Sequence, residues 1–474
     1  MKKYFYITTT LPYVNADPHI GFAMEIVRAD VIARLKRLLG YEVFFNTGSD
    51  EHGQKIYQKA KEKNLNPQIY CDQQIKKFYQ LKEALNLSYD KFIRTTDKNH
   101  IQAAQKFWQL CQKNGDIYKT KYKIKYCVGC ELEKTESELV NDHCPIHPNK
   151  KIEIIEEDNY FFRFSRYQQK LLDFYKKNPQ FIQPSFRFEE LKNFIKKGLK
   201  DFSISRLKTK MPWGITVPGD DNQVMYVWFD ALINYISTLG WPENKENFER
   251  FWPGIQIAGK DNLRQQGAMW QAMLMSTHLP LSKQIFIEGF ITSNGQKMSK
   301  SLGNVVDPFL MVKKYGIDAV RFYLLKEIPN FEDGDFSEKR MKEIYNANLA
   351  NELGNLATRL TNLAYQDNLN LNKPDEKILK KSLLTLEKLI DQFQFNQAID
   401  LIWQEIKDLN RQIDLFSPWK KNPNGRKNFL NQSLTNLYLI GKKIEPFLPQ
   451  TAQKIIDGLT LKISKIPPLF PKIK

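Results

Sequence analysis

Two short runs of aromatic and β-branched residues, joined by a stretch with helical period, constrain this chain more than any other feature. Tyr4 to Thr9 (YFYITT) has the composition of a buried strand, and Leu11-Pro12 breaks it. Asp17 is a helix cap and Pro18 suits a first helical position. Ile20, Met24, Val27, Val31, Leu35 and Leu38 then recur every three or four residues until Gly40. A second apolar run, Val43 to Phe45, stops at NTGSDEHG. Strand, helix, strand predicts a right-handed βαβ unit and therefore a parallel sheet.

The alternation returns late in the chain, at IQIAGKD (Ile255 to Asp261) and IFIEGF (Ile285 to Phe290). The sheet is therefore expected in two halves, around an inserted segment from about Gly115 to Asn222. From about Tyr345, beginning NANLANELGNLATRLTNLAY, the chain reads as helices with few glycines and no strand runs. The expected class is α/β, with an all-α bundle at the C-terminal end.

No apolar run approaches the ~20 residues that a membrane-spanning helix needs, and Met1-Lys2-Lys3 leads into no signal-peptide core, so a cytoplasmic location is expected. The net charge of +18 is compatible with a phosphate-binding surface and equally with a lysine-rich composition that aids solubility. Five cysteines in a long chain argue against a disulfide framework.

Three stretches carry chemistry. Pro18-His19-Ile20-Gly21 places a histidine and a glycine in a helix's first turn, where free amides and positive partial charge suit phosphate. NGQKMSKSLGN (Asn294 to Asn304) sets Lys297 and Lys300 in a glycine-flanked, serine-rich loop suited to a triphosphate. Cys127-x-x-Cys130 and Cys144-x-x-His147 have the spacing of a closed tetrahedral zinc site with no open position, hence a structural one. His143 competes as the fourth ligand, and the spacing favours His147.

With PHIG followed by KMSKS, the chain resembles the class I aminoacyl-tRNA synthetases, and closely the methionyl-tRNA synthetase family, over essentially its whole length. The resemblance implies a Rossmann-type catalytic domain that joins L-methionine to ATP, releases pyrophosphate and passes the aminoacyl group to tRNA(Met), initiator tRNA included. His19, Lys297 and Lys300 would be catalytic. Those three with Gly21 and Asp261 would hold ATP, with Mg2+ accompanying it. LPYVN and YVWFDALINY are similar to the family's methionine-pocket segments, which assigns Leu11, Tyr13, Trp228, Ala231 and Tyr235 to the side chain. Asp50 matches the acid that receives the ammonium group, and Arg206 its ion-pair partner. NELGNLATR and FSPWKKN resemble the anticodon-reading segments, which assigns Asn355, Arg359, Pro418 and Trp419 to a CAU anticodon. The insert is too short for the large editing domains of the valine, isoleucine and leucine enzymes.

The implied domains are residues 1–114 and 223–293 (two catalytic halves), 115–222 (the zinc-bearing insert), 294–344 (lysine loop and linker) and 345–474 (anticodon-binding bundle). The chain stops soon after that bundle, so a monomer is expected. Three positions depart from the family pattern: Phe22, Gln266 and Glu288 each stand where a histidine is usual. Gln266 would still face the methionine sulfur. The alternatives are a catalytically impaired tRNA-binding relative, or a small-molecule nucleotidyltransferase of the same superfamily. The first would have lost the lysine loop and the second would lack the bundle.

Overall fold

Residues 3–130, 132–134, 138–298, 303–371, 373–460 and 463–473 are described by the structure, a computed structural model. Its centre is a six-stranded sheet of β1 (Lys3–Thr8), β2 (Tyr41–Ser49), β3 (Lys91–Arg94), β4 (Ile182–Gln183), β5 (Ile255–Gly259) and β6 (Gln284–Glu288). The order is β3-β2-β1-β5-β6-β4, parallel throughout. The strands alternate strictly between two cores. Phe5, Ile7, Ile257 and Phe286 face one, while Tyr6, Ala258, Ile285 and Ile287 face the other. That period of two, apolar on both sides, marks a sheet covered on both faces.

On the first face lies α1 (Ile20–Leu38), whose core continues unbroken into the helices that follow residue 308. The second face carries the helices Lys98–Lys113, Gln168–Lys177, Ser185–Lys196 and Trp270–Ser276. The order of connections reverses between β1 and β5, which opens a crevice outside their carboxyl ends, the usual ligand position in such sheets.

Between β3 and β5 the chain builds an antiparallel sheet of Leu132–Lys134, Ile117–Cys127, Glu153–Phe162 and Phe202–Ser203. The helical region holds Asn355–Gln366, Glu376–Ile390, Phe395–Phe416, Pro423–Ile444 and Pro449–Gly458. Arg321, on the preceding helix Ile317–Lys326, ties this region to α1: its Nη2 pairs with the buried Asp30 Oδ2 at 2.8 Å, and the guanidinium also donates to the carbonyls of Leu85, Pro446 and Phe447. No helix among the described residues is long and apolar enough to cross a membrane.

Three expectations are corrected. The first helix starts at Ile20 with His19 as its cap, not at Pro18 with Asp17, because Asp17 turns outward to Lys77 and the Ile20 amide bonds the carbonyl of Val306. β2 runs on past Phe45 to Ser49, since Asn46, Thr47 and Ser49 are buried with hydrogen-bond partners. The stretch Tyr345–Gly354 is a π-helix that precedes the α-helix from Asn355.

Candidate active site

The crevice draws its side chains from several separate chain segments. At its rim, the His19 imidazole folds back so that Nδ1 accepts the Gly21 amide at 3.0 Å. A Cβ at residue 21 would lie 2.9 Å from His19 Cε1, so glycine is what lets the ring sit there. With Nδ1 accepting, the ring proton is on Nε2, free to be donated outward. Burial lowers the pKa of His19, which favours the neutral ring, although the residue keeps solvent exposure. Phe22 points away from the crevice into the core, edge-on to Phe78. One turn further along α1, Glu25 accepts from the Thr10 amide and hydroxyl, both at 2.6 Å.

Across the crevice, Asp261 sits in the turn after β5, where Gly259 makes room: a Cβ there would lie 2.8 Å from Asp261 Oδ1. Glu288, at the end of β6, pairs with the buried Arg28 at 3.0 Å. Burial, then repulsion from Glu288, raises the Glu25 pKa, and burial also raises that of Glu288 against the pull of Arg28. Arg28 supplies the countercharge to Glu288, and its two terminal nitrogens also donate to the carbonyls of Ile328, Pro329 and Asn330, while its Nε is buried without a hydrogen-bond partner.

Deeper in, Tyr13 bridges to Asp50, whose amide bonds the Pro12 carbonyl, so the Leu11–Tyr13 segment is zipped to the end of β2. Asp50 is buried. Trp228 and Ala231 lie on the short helix Val227–Ala231, and Tyr235 follows on the next turn. The indole N–H of Trp228 is buried without a hydrogen-bond partner. Tyr235 feels the charges of Glu25 and Asp50, and burial keeps its hydroxyl protonated by raising its pKa. Gln266 lies in a π-helical turn and donates from Nε2 to the Tyr235 hydroxyl.

The expected ion pair between Arg206 and Asp50 is not made. The Arg206 guanidinium stacks 4.4 Å from the Tyr226 ring, and its Nη1 is taken by Ser203 Oγ and the Ser205 carbonyl, both at 2.7 Å. Lys297 closes a two-residue strand, and Lys300 lies outside the described residues.

Several site residues escaped the sequence reading. His52 Nδ1 and His100 Nε2 grip the two oxygens of Asp230, at 2.6 and 2.7 Å, all three buried. Burial pushes the Asp230 carboxyl up, but the two histidines outweigh it and hold it below its ordinary range. The clamp ties the Asp50 loop to the helix bearing Trp228 and Ala231. A charge inside the apolar run YVWFDALINY was the available signal; His100, distant in sequence, offered none.

In the insert, the ligand atoms of Cys127, Cys130, Cys144 and His147 lie within 4.8 Å of one another. Cys130 Sγ is 3.4 Å from Cys144 Sγ and 3.2 Å from His147 Nδ1, near the edge lengths of a tetrahedron with ~2.3 Å metal–sulfur bonds. These four side chains could hold a metal ion. Gly129 is required, because a Cβ there would lie 2.4 Å from His147 Cγ. His143 stands outside the cluster, exposed, with its Nδ1 on the Asn141 carbonyl.

A separate groove of about 580 Å³ in the helical region is lined by Asn355, Arg359, Asn410, Arg411 and Leu415 among others. Arg359 donates to Asp414 at 2.7 Å and its guanidinium lies 5.0 Å over the Trp419 ring. Pro418 is buried and starts the turn that presents Trp419, which is 48% exposed.

The chain matches known proteins over nearly its whole length. The family described as tRNA synthetases class I (M) matches residues 5–151 and 133–361. The chain is 44% identical over 484 residues to a methionine–tRNA ligase of Thermosynechococcus vestitus, covering 98% of this chain and 91% of that protein. It is 41% identical over 477 residues to that of Thermotoga maritima, covering 97% and 75%. A solved structure of Mycobacterium tuberculosis methionyl-tRNA synthetase in complex with methionyl-adenylate superposes with a TM-score of 0.91 at 36% identity, over 99% of this chain and 100% of that one. The chain therefore belongs to the methionyl branch of the class I tRNA synthetases.

Proposed function

We infer that the chain is a methionine–tRNA ligase. It activates L-methionine with ATP to methionyl-adenylate and pyrophosphate, and then transfers the methionyl group to the 3′ end of tRNA(Met). The observation that carries this reading is the likeness over nearly the full chain to methionine–tRNA ligases, one of them solved with methionyl-adenylate.

The chemistry asks the protein for positioning and charge rather than a covalent intermediate. A methionine carboxylate oxygen attacks the α-phosphorus and pyrophosphate leaves. Asp50, buried at the end of β2, takes the substrate ammonium, while Leu11, Tyr13, Trp228, Ala231, Tyr235 and Gln266 enclose the side chain. Sulfur packs favourably against such ring edges. His19 donates from Nε2 to the phosphates, Gly21 keeps that ring in place, and Asp261 accepts from the ribose. Lys297 and Lys300 meet the charge that grows on the departing pyrophosphate, and Mg2+ arrives on the ATP phosphates. The ribose hydroxyl at the tRNA 3′ end then attacks the acyl carbon and AMP leaves.

Three thiolates and one imidazole fit zinc, and the closed donor set gives it a structural role in the insert. Beside the helical groove, Trp419 stacks on an unpaired anticodon base on its Pro418 turn, with Asn355 and Arg359 of the groove as hydrogen-bond donors. This reading divides the chain into catalytic halves 1–114 and 223–293, insert 115–222, linker 294–344 and anticodon-binding part 345–474, with the insert also lending the catalytic sheet its edge strand Ile182–Gln183. ATP–pyrophosphate exchange with each natural amino acid offered singly tests the assignment. Methionine alone should support strong exchange, and exchange driven by another amino acid in its place would refute it.

A further inference from the structure

His52 holds two neighbours at once. Its ring Nδ1 pairs with Asp230 Oδ2 at 2.6 Å, and its backbone amide donates to Asp50 Oδ1 at 3.4 Å. Asp230 lies on the helix Val227–Ala231, between Trp228 and Ala231 in sequence. A single residue thus joins the carboxylate that would take the substrate ammonium to the wall that would enclose its side chain. The joint is shut away from solvent, since His52, Asp50 and Asp230 are all buried.

Neither side of the joint has room to slip. Trp213 braces the loop: its indole N–H donates to the Glu51 carbonyl at 2.6 Å, and its ring centre lies 5.4 Å from that of His52. His100, on the helix Lys98–Lys113, braces the wall: its Nε2 bonds the other oxygen of Asp230 at 2.7 Å, and its Nδ1 lies 2.9 Å from Ser237 Oγ. Moving the wall relative to the loop would break a bond of Asp230 and strand a buried polar group, which is costly away from water.

We propose that Asp230 is a positioning residue: through His52 it fixes the separation between the ammonium acceptor and the side-chain wall, and so selects the length of carbon chain between the substrate's amino-bearing carbon and its sulfur. The proposal rests on the methionine reading of the pocket. A pocket whose two ends are held apart at a set distance rejects a substrate one methylene too short or too long, by roughly 10- to 200-fold per methylene. A pocket whose ends are loosely joined adjusts to either and loses that discrimination. S-methylcysteine is one methylene shorter than methionine in that stretch and homomethionine one longer, and both keep the ammonium and the thioether. Ethionine adds its methylene beyond the sulfur, outside the span that the joint sets.

The test is the ratio of kcat/KM for methionine to that for each analogue, from ATP–pyrophosphate exchange in the full chain. In the isosteric variant Asp230→Asn, the ratios to S-methylcysteine and to homomethionine should both fall about five- to tenfold, a part of what one methylene is worth in a fixed pocket. The methionine KM should rise, while the ATP KM and the ratio to ethionine stay near wild type. His52→Ala keeps the backbone amide but removes the ring, and should give the same pattern. His100→Ala leaves the His52 joint in place, so it should lower the urea midpoint and keep all three ratios. Unchanged ratios in Asp230→Asn and His52→Ala enzymes that still activate methionine overturn the positioning role alone. So does relaxation by the same factor for ethionine, or in His100→Ala. A wild-type chain that does not activate methionine overturns the functional reading and this role with it.

Discussion

The His19 imidazole accepts a hydrogen bond from the amide of Gly21, two residues on, at 3.0 Å. One contact does two things: it caps α1, and it settles the tautomer that leaves Nε2 as an outward donor at the crevice. With Phe22 turned into the core, that donor works without a second histidine on the same helical face.

Replacing His19 by alanine should therefore slow adenylate formation by at least about a hundredfold, the usual cost of a lost donor to developing charge. Phe22→Ala should instead cost about 3 kcal/mol of stability through lost packing, with a near-native rate in the folded fraction. Pre-steady-state adenylation and urea unfolding of both variants separate the two effects.

Gly21→Ala should resemble His19→Ala. The added Cβ would lie 2.9 Å and 3.0 Å from ring atoms of His19, so the imidazole must leave its seat. Single-turnover adenylation should fall by more than about tenfold while far-UV circular dichroism is unchanged.

The raised pKa of Glu25 makes a prediction about pH. A carboxyl whose pKa is higher in the folded state binds its proton more tightly there, so its contribution is complete below the ordinary range, about 4.3, and is lost as pH rises through the folded value. Urea stability of the wild type should decline between about pH 5 and about pH 8, and Glu25→Gln should flatten that decline. An equal slope in both proteins would show that Glu25 is not the group responsible.

Much of the fold was legible because strand and helix periods are direct consequences of which faces are buried. β1, α1, β5 and β6 could be read this way. β4, a two-residue edge strand, and β3, four residues long, carry too few side chains to show a period. The polar end of β2 was missed because Asn46, Thr47 and Ser49 look like a loop until their partners are known. The metal cluster was legible from spacing alone. The clamp of His52 and His100 on Asp230 was not, because it joins residues far apart in sequence through single groups that form no local pattern. The pair expected of Arg206 and Asp50 failed for a related reason: the matching motifs say nothing of Ser203, Ser205 and Tyr226, which hold the guanidinium instead.

Metal analysis should find about one zinc per chain, and the double variant Cys127→Ser, Cys130→Ser should lose it. Protease sensitivity should then appear first within the hairpin of Ile117–Cys127 and Glu153–Phe162, which the cluster closes. A metal-free wild type with a protected hairpin would rule out a structural ion.

Trp419→Ala should leave methionine-dependent pyrophosphate exchange within about twofold of wild type and lower tRNA charging by at least about tenfold, as expected for a lost stacking partner worth 1–3 kcal/mol. Because the ring is half exposed, stability should change little. Equal losses in both assays would make it a structural residue.

The most direct measurement of the whole account is the transfer of labelled methionine to purified tRNA carrying the CAU anticodon, beside the same tRNA with an altered anticodon. The account predicts ATP-dependent charging of the first and little of the second. Charging of both alike, or of neither with methionine while another amino acid is accepted, would contradict it.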